Sequence, residues 1–179
     1  MRRRPLLLGL VALLGSILVA GAAVPAGAGA RAGAKPPKVP GPIQAPAGQK
    51  VVLDVVGKGV QIYACDATTL AWTLREPAAV LYGRRDRPVG IHFIGPTFES
   101  FDGSKVVGAL VASEPSPHGS IPWLLLKAVS NAGDGVLSQV DSIQRLETRG
   151  GVAPSAPCDP AGDATVAVPY RARYVFYAG

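Results

Sequence analysis

The chain has 179 residues, the length of one domain, with 18 Lys and Arg against 12 Asp and Glu and a formal net charge of +6. Arg2, Arg3 and Arg4 account for half of that excess, and without them 15 basic residues face 12 acidic ones, a balance of +3. That is an ordinary solvated surface, and it argues against a nucleic-acid footprint.

The three arginines open a leader. Leu6 to Ala20 is an apolar run of signal-peptide length, short for a membrane span. Ala20-Gly21-Ala22 and Ala28-Gly29-Ala30 both satisfy the small-x-small cleavage rule, so residues 1–30 read as a signal peptide cut after either. No Cys lies near these sites, which argues against lipid anchoring, and no second long apolar run predicts a membrane contact after cleavage. The expected location is outside the cytoplasm: periplasmic, wall-associated or extracellular. Residues 31–42 follow as a Pro-, Ala- and Gly-rich linker of extended polyproline type. One domain is expected over residues 43–179.

Within that domain short β-type runs alternate with turn residues. Val51–Val56 and Val60–Cys65 flank Gly57-Lys58-Gly59 and read as a hairpin. Runs at Ala71–Leu74, Ala79–Tyr82, Val89–Ile94 and Thr97–Phe101 follow. Arg84-Arg85-Asp86-Arg87 reads as a solvated turn. Asp102-Gly103 is a strong turn signal before Lys105–Ala112, and Pro115–Pro122 is a loop. Trp123–Val129 is nearly continuous in apolar residues and predicts a central strand buried on both faces. Gln139–Thr148, Thr165–Tyr170 and Arg173–Tyr177 complete the set. The expectation is an all-β fold, an antiparallel sandwich or short barrel of about ten strands, with no substantial helix outside the signal peptide. Cys65 and Cys158, an even count in an exported chain, predict a disulfide.

Several ordered pieces resemble the exported bacterial and fungal family catalogued as domain of unknown function 3455. They include Gly59-Val60-Gln61-Ile62-Tyr63 with Cys65, Trp72, Gly90 with His92, and Gly95-Pro96-Thr97-Phe98-Glu99. Asp102-Gly103-Ser104, Ile121-Pro122-Trp123, Ile143-Gln144-Arg145-Leu146, Gly150-Gly151, Cys158 and Val168-Pro169-Tyr170 continue the series. The resemblance covers about residues 43–179. One departure is Phe98, where Trp is expected in many relatives. The resemblance implies export and implies no reaction.

Catalytic motifs are missing: there is no phosphate-cradling glycine loop after a strand, no G-x-S-x-G elbow and no H-E-x-x-H. The reading therefore leans away from an enzyme, and no cofactor is predicted. The one cluster that invites chemistry is His92, Glu99 and Asp102, with Ser104 beside them. A His and a carboxylate across a hairpin would shuttle a proton or hold a metal, with His92 as ligand. The alternation expects Ile91 and Phe93 on one face and an off-core or cavity-facing His92 on the other. The bland alternative is a hydrogen-bonded His92 and an Asp102 that only makes the turn. A second candidate set is Gln61, Tyr63, Trp123, Gln144 and Arg145, polar or aromatic residues within apolar runs. These would line a pocket in a barrel mouth, with Arg145 holding an anionic group, or would serve only as an internal network or core. The leading functional expectation is an exported, non-catalytic ligand-binding module, with envelope or extracellular polysaccharide as partner. The alternatives are an enzyme or metal-site protein centred on His92, Glu99 and Asp102, and a structural envelope protein with no small ligand.

Overall fold

A computed structural model describes residues 34–162 and 164–179. The leader and the start of the linker lie outside the described residues. Eight antiparallel strands follow one another around a closed barrel: β1 Lys50–Cys65, β2 Trp72–Tyr82, β3 Pro88–Phe93, β4 Thr97–Ser100, β5 Lys105–Glu114, β6 Trp123–Ala132, β7 Ser142–Gly150 and β8 Thr165–Ala178. Each strand pairs with the next, and β8 closes on β1 from Lys50↔Ala178 to Ala64↔Thr165. Two single 3₁₀ turns, Gly41–Ile43 and Arg84–Asp86, are the helical elements among the described residues, and none is long and apolar enough to cross a membrane.

The expected all-β fold is present and takes the barrel form of the two expected, with eight strands where about ten are expected. Three pairs of expected strands are single long ones. The expected hairpin at Gly57-Lys58-Gly59 is instead the middle of β1. A Cβ added to Gly57 would lie 2.6 Å from Tyr174 Cε2, and one on Gly59 would lie 2.5 Å from Ala79 Cα. These glycines permit close approach inside the barrel and do not turn the chain. The two runs of β2 join through Pro77, next to a register shift between Ile62 and Tyr63 of β1. The last two runs join through Arg171 and Ala172 as β8.

An eight-stranded barrel has an interior just wide enough for side chains to fill. Here Leu53, Val55, Leu81, Phe98, Val106, Leu126, Ile143, Tyr174 and Phe176 fill it. A second apolar cluster lies outside the wall, where Val51, Leu125, Leu146, Val175 and Tyr177 are covered by the segment containing Ile43. Gln144 Nε2 donates to Ile43 O at 2.6 Å, and Tyr177 Oη donates to Gln144 Oε1 at 2.5 Å, fixing that segment on the barrel. This cover explains why β6 reads as buried on both faces: Leu126 points inward and Leu125 outward beneath it. The double burial ends there, since Lys127 and Val129 are exposed.

Cys65 and Cys158 form the expected disulfide, with Cα atoms 5.6 Å apart and a sequence separation of 93. It joins the end of β1 to the loop that leads into β8.

Candidate functional site

His92 departs from the expectation drawn from its strand. The alternation holds, but the faces are reversed: Ile91 is exposed and His92 lies in the core at 4% exposure. Its ring stacks on Phe98 with centroids 4.0 Å apart and meets the edge of Tyr174 at 5.2 Å. Nδ1 lies 2.9 Å from Thr97 O, so in the neutral ring that nitrogen carries the proton and donates it. Burial lowers the His92 pKa to about 4, and the positive Arg145 pushes in the same direction against the Thr97 hydrogen bond.

Glu99 pairs with Ile91 in the β3–β4 register, on the outer face, whereas His92 pairs with Phe98 on the inner one. Its carboxylate binds Lys105 Nζ at 2.8 Å. Asp102 is committed elsewhere. Oδ1 accepts from Ser104 N at 2.9 Å and Ser104 Oγ at 2.6 Å, and Oδ2 accepts from Val136 N at 2.9 Å. Partial burial would raise the Asp102 pKa, but these hydrogen bonds outweigh it and hold the carboxyl below its usual range. Ser104 Oγ in turn accepts from Leu137 N at 3.0 Å, so the pair staples the β4–β5 turn to the β6–β7 loop. The three residues of the His92 cluster are not brought together, and among the described residues no group of three His, Cys, Asp or Glu is placed to hold a metal.

The second candidate set divides. Gln61, Tyr63 and Arg145 face the barrel interior with Tyr170 and Tyr174. Arg145 Nε and Nη2 donate to Pro122 O at 3.1 and 2.9 Å, and Tyr63 Oη donates to Gly151 O at 2.5 Å. The Tyr170 and Tyr174 hydroxyls are 3.1 Å apart. Burial raises the pKa of Tyr63 and Tyr174, with the Arg145 charge opposing it. A Cβ on Gly151 would lie 2.9 Å from Tyr170 Cβ and 3.2 Å from Gln61 Cγ, so loop and polar layer are in close contact. Gln61 Nε2 is buried there without a partner among the described residues. Gln144 lies on the outside, under the Ile43 segment. Trp123 is also on the outside, at the edge of a different feature.

That feature is a groove across the outer faces of β7, β8, β1 and β2. Two adjoining concavities of about 330 and 290 Å³ share Val56, Glu147 and Arg173. Trp123, His118, Arg149 and Arg171 line the first, and Asp54, Tyr82 and Arg84 the second. Sequence dictates this shape through a bulge. Leu146 pairs with Arg173 and Arg149 with Arg171, so β7 carries one extra residue between the two pairs. Glu147 takes it up in the left-handed region at φ 50°, a strained setting for a non-glycine residue. The bulge turns Glu147 outward, where it accepts from Arg173 Nη1 at 2.9 Å. Arg173 also donates to both oxygens of Asp54, at 2.9 and 2.8 Å. The Asp54 hydrogen bonds, followed by Glu147, raise the Arg173 pKa against the cost of burial.

The loop bearing His118 is sewn to the same edge. Ser120 Oγ donates to Thr148 O at 2.7 Å, Thr148 Oγ1 to Ile121 O at 2.6 Å and Ile121 N to Gly150 O at 3.1 Å. Trp123 Nε1 is buried with no acceptor among the described residues. Of the candidate site residues named from the sequence, Trp123 lies in this groove. The signal that would have added others is Arg171-x-Arg173, two cations on one face of a strand.

Fold and surface together define a disulfide-closed antiparallel β-barrel with a filled interior and a concave, arginine-lined outer face. Within that class the chain belongs to the family described as protein of unknown function (DUF3455), which matches residues 46–178. No curated protein and no solved structure matches the chain.

Proposed function

We propose that the protein is an exported, non-catalytic binding module that takes a polysaccharide of the envelope or the extracellular matrix in the groove over β7, β8, β1 and β2. The observation that carries this reading is the groove itself: an open, elongated concavity on the outer wall, beside a barrel interior occupied by side chains. An open groove suits a chain that enters and leaves at both ends. Trp123 and Tyr82 lie toward its two ends, and aromatic side chains of this kind present apolar surface to sugar rings. The disulfide supports an oxidising destination, and the leader supplies the route. Export itself is checked by the mass of the protein recovered outside the cytoplasm, which should lack residues 1–22 or 1–30.

The binding test uses Trp72→Phe, which leaves Trp123 as the sole indole. Titration with soluble glucan, mannan and polygalacturonate should change its emission saturably for at least one polymer. Trp123→Ala should weaken that polymer's retention in affinity electrophoresis. If no polymer changes emission, mobility or melting temperature, the reading fails.

A further inference from the structure

The groove carries a charge arrangement that the fold does not require. Arg149 and Arg171 are direct cross-strand partners in the β7–β8 register, and Arg171 is the partner of Lys58 in the β8–β1 register. Three cations therefore stand in one row on the outer face. Lys58 is neutralised by Asp86 at 3.0 Å. Arg173, two residues along β8 on the same face, is held by Asp54 and Glu147. Arg149 and Arg171 make no ion pair among the described residues. Both are exposed, and the polar contact made by the Arg149 side chain is to a neighbouring carbonyl, Thr148 O at 3.0 Å. Like charges directly opposite on a sheet are destabilising. The groove lining as a whole has four arginines against two carboxylates, with His118 beside them.

The geometry points to a polyanionic ligand: resting on the binding reading above, the polysaccharide that fills this groove carries carboxylate or phosphodiester groups, and Arg149 and Arg171 together grip one of them. A guanidinium fork offers two parallel N–H donors that suit the paired oxygens of a carboxylate or phosphate, and the register sets two such residues side by side. An anion between them would turn mutual repulsion into shared attraction. Asp54 and Glu147 serve a different purpose, since they hold Arg173 in place and leave the neighbouring pair uncompensated.

The experiment compares polygalacturonate, a phosphodiester-linked teichoic polymer and neutral dextran on the oxidised wild type, Arg149→Gln and Arg171→Gln. At least one of the two anionic polymers should bind, and which of them does so names the anion. Each substitution should weaken that binding about 10- to 100-fold, the loss expected for a charge-assisted contact. Raising salt to 1 M should abolish most of the binding to wild type. The same substitutions should leave the melting temperature of the unliganded protein unchanged or raise it, because they relieve a like-charge pair. Equal binding of the anionic polymers by wild type and both variants would overturn the inference. Binding of dextran that depends on Trp123 but not on either arginine would overturn it while leaving the binding module standing. Binding to anionic lipid vesicles with none to either polymer would overturn it in favour of a membrane surface. Silence toward all polymers would sink both readings.

Discussion

Lowering the pH from 7.5 to 4.5 should cost this barrel much of its stability, and His92 should account for most of the loss. The folded protein holds the imidazole neutral down to a pKa of about 4, whereas the unfolded chain returns it to the ordinary 6.5. Between those values the unfolded state binds the extra proton, so acid favours unfolding. The contribution is fully present above 6.5 and is lost progressively as the pH falls toward 4. The gap of about 2.5 units corresponds to about 3 kcal/mol at 1.36 kcal/mol per unit. The group is almost completely buried, so solvent screening takes little away. For a domain of this size that is a drop of roughly 10 °C in melting temperature. The assay is urea unfolding at pH 7.5, 6.5, 5.5 and 4.5, for wild type and His92→Phe. The variant keeps an aromatic ring against Phe98 and loses the titrating nitrogen. Its stability should be lower at pH 7.5 but much flatter down to 4.5. A wild-type profile that is flat across this window would refute the reasoning, and so would an unchanged slope in His92→Phe. Asp102 acts at lower pH, since its depressed pKa gives stability that is lost only as the pH falls below the usual carboxylate range.

Other outcomes follow from the same geometry. Cys65→Ser with Cys158→Ser opens a loop of 93 residues and should cost up to about 4–5 kcal/mol in the chain-entropy account, measurable as a lower urea midpoint that reductant does not lower further. Gly59→Ala places a methyl against the β2 backbone and should destabilise by at least about 1–3 kcal/mol, whereas Gly103→Ala, with open space around it, should lose only the smaller cost of its positive φ. Asp102→Ala removes an acceptor for three donors, the Ser104 amide and hydroxyl and the Val136 amide. It should cost about 2–3 kcal/mol and raise amide exchange in the loop after β6.

The sequence reading recovered the strand-rich fold, the disulfide and most of the turns, because these are written locally in alternation, β-branched density and paired cysteines. It divides β1 and β2 because local rules give glycine and proline a single meaning, and β8 because Arg171-Ala172 interrupts its apolar pattern. Gly57 and Gly59 punctuate a sequence, yet here they make room for Tyr174 and Ala79 on the neighbouring strands β8 and β2. No local pattern separates that role from a turn. The facing of β3 is hidden from the sequence for a related reason. Ile91 and Phe93 are the more hydrophobic pair, so alternation assigned them inward. The closed barrel instead places Gly90 and His92 inside, where the ring of His92 completes an aromatic stack. The groove was nearly illegible, since its walls come from β7, β8, β1, β2 and the loop before β6. Its shape depends on one extra residue in β7 that only pairing with β8 reveals.

The seam between β1 and β8 gives the barrel a direction of mechanical weakness and a stop. Lys50 and Ala178 are ladder neighbours at one end of the seam, while Cys65 and the Ala164 carbonyl meet at the other. A pull on the chain at Gln49 and Ala178 would load the rungs one at a time, as a zipper does, and not all together in shear. Opening would run from that end through Tyr63↔Val166 and then meet the covalent tie at Cys65–Cys158. Tension on an oxidised domain would therefore spread the seam without parting its far end, and release would let the strands re-pair in the register that the bridge had kept.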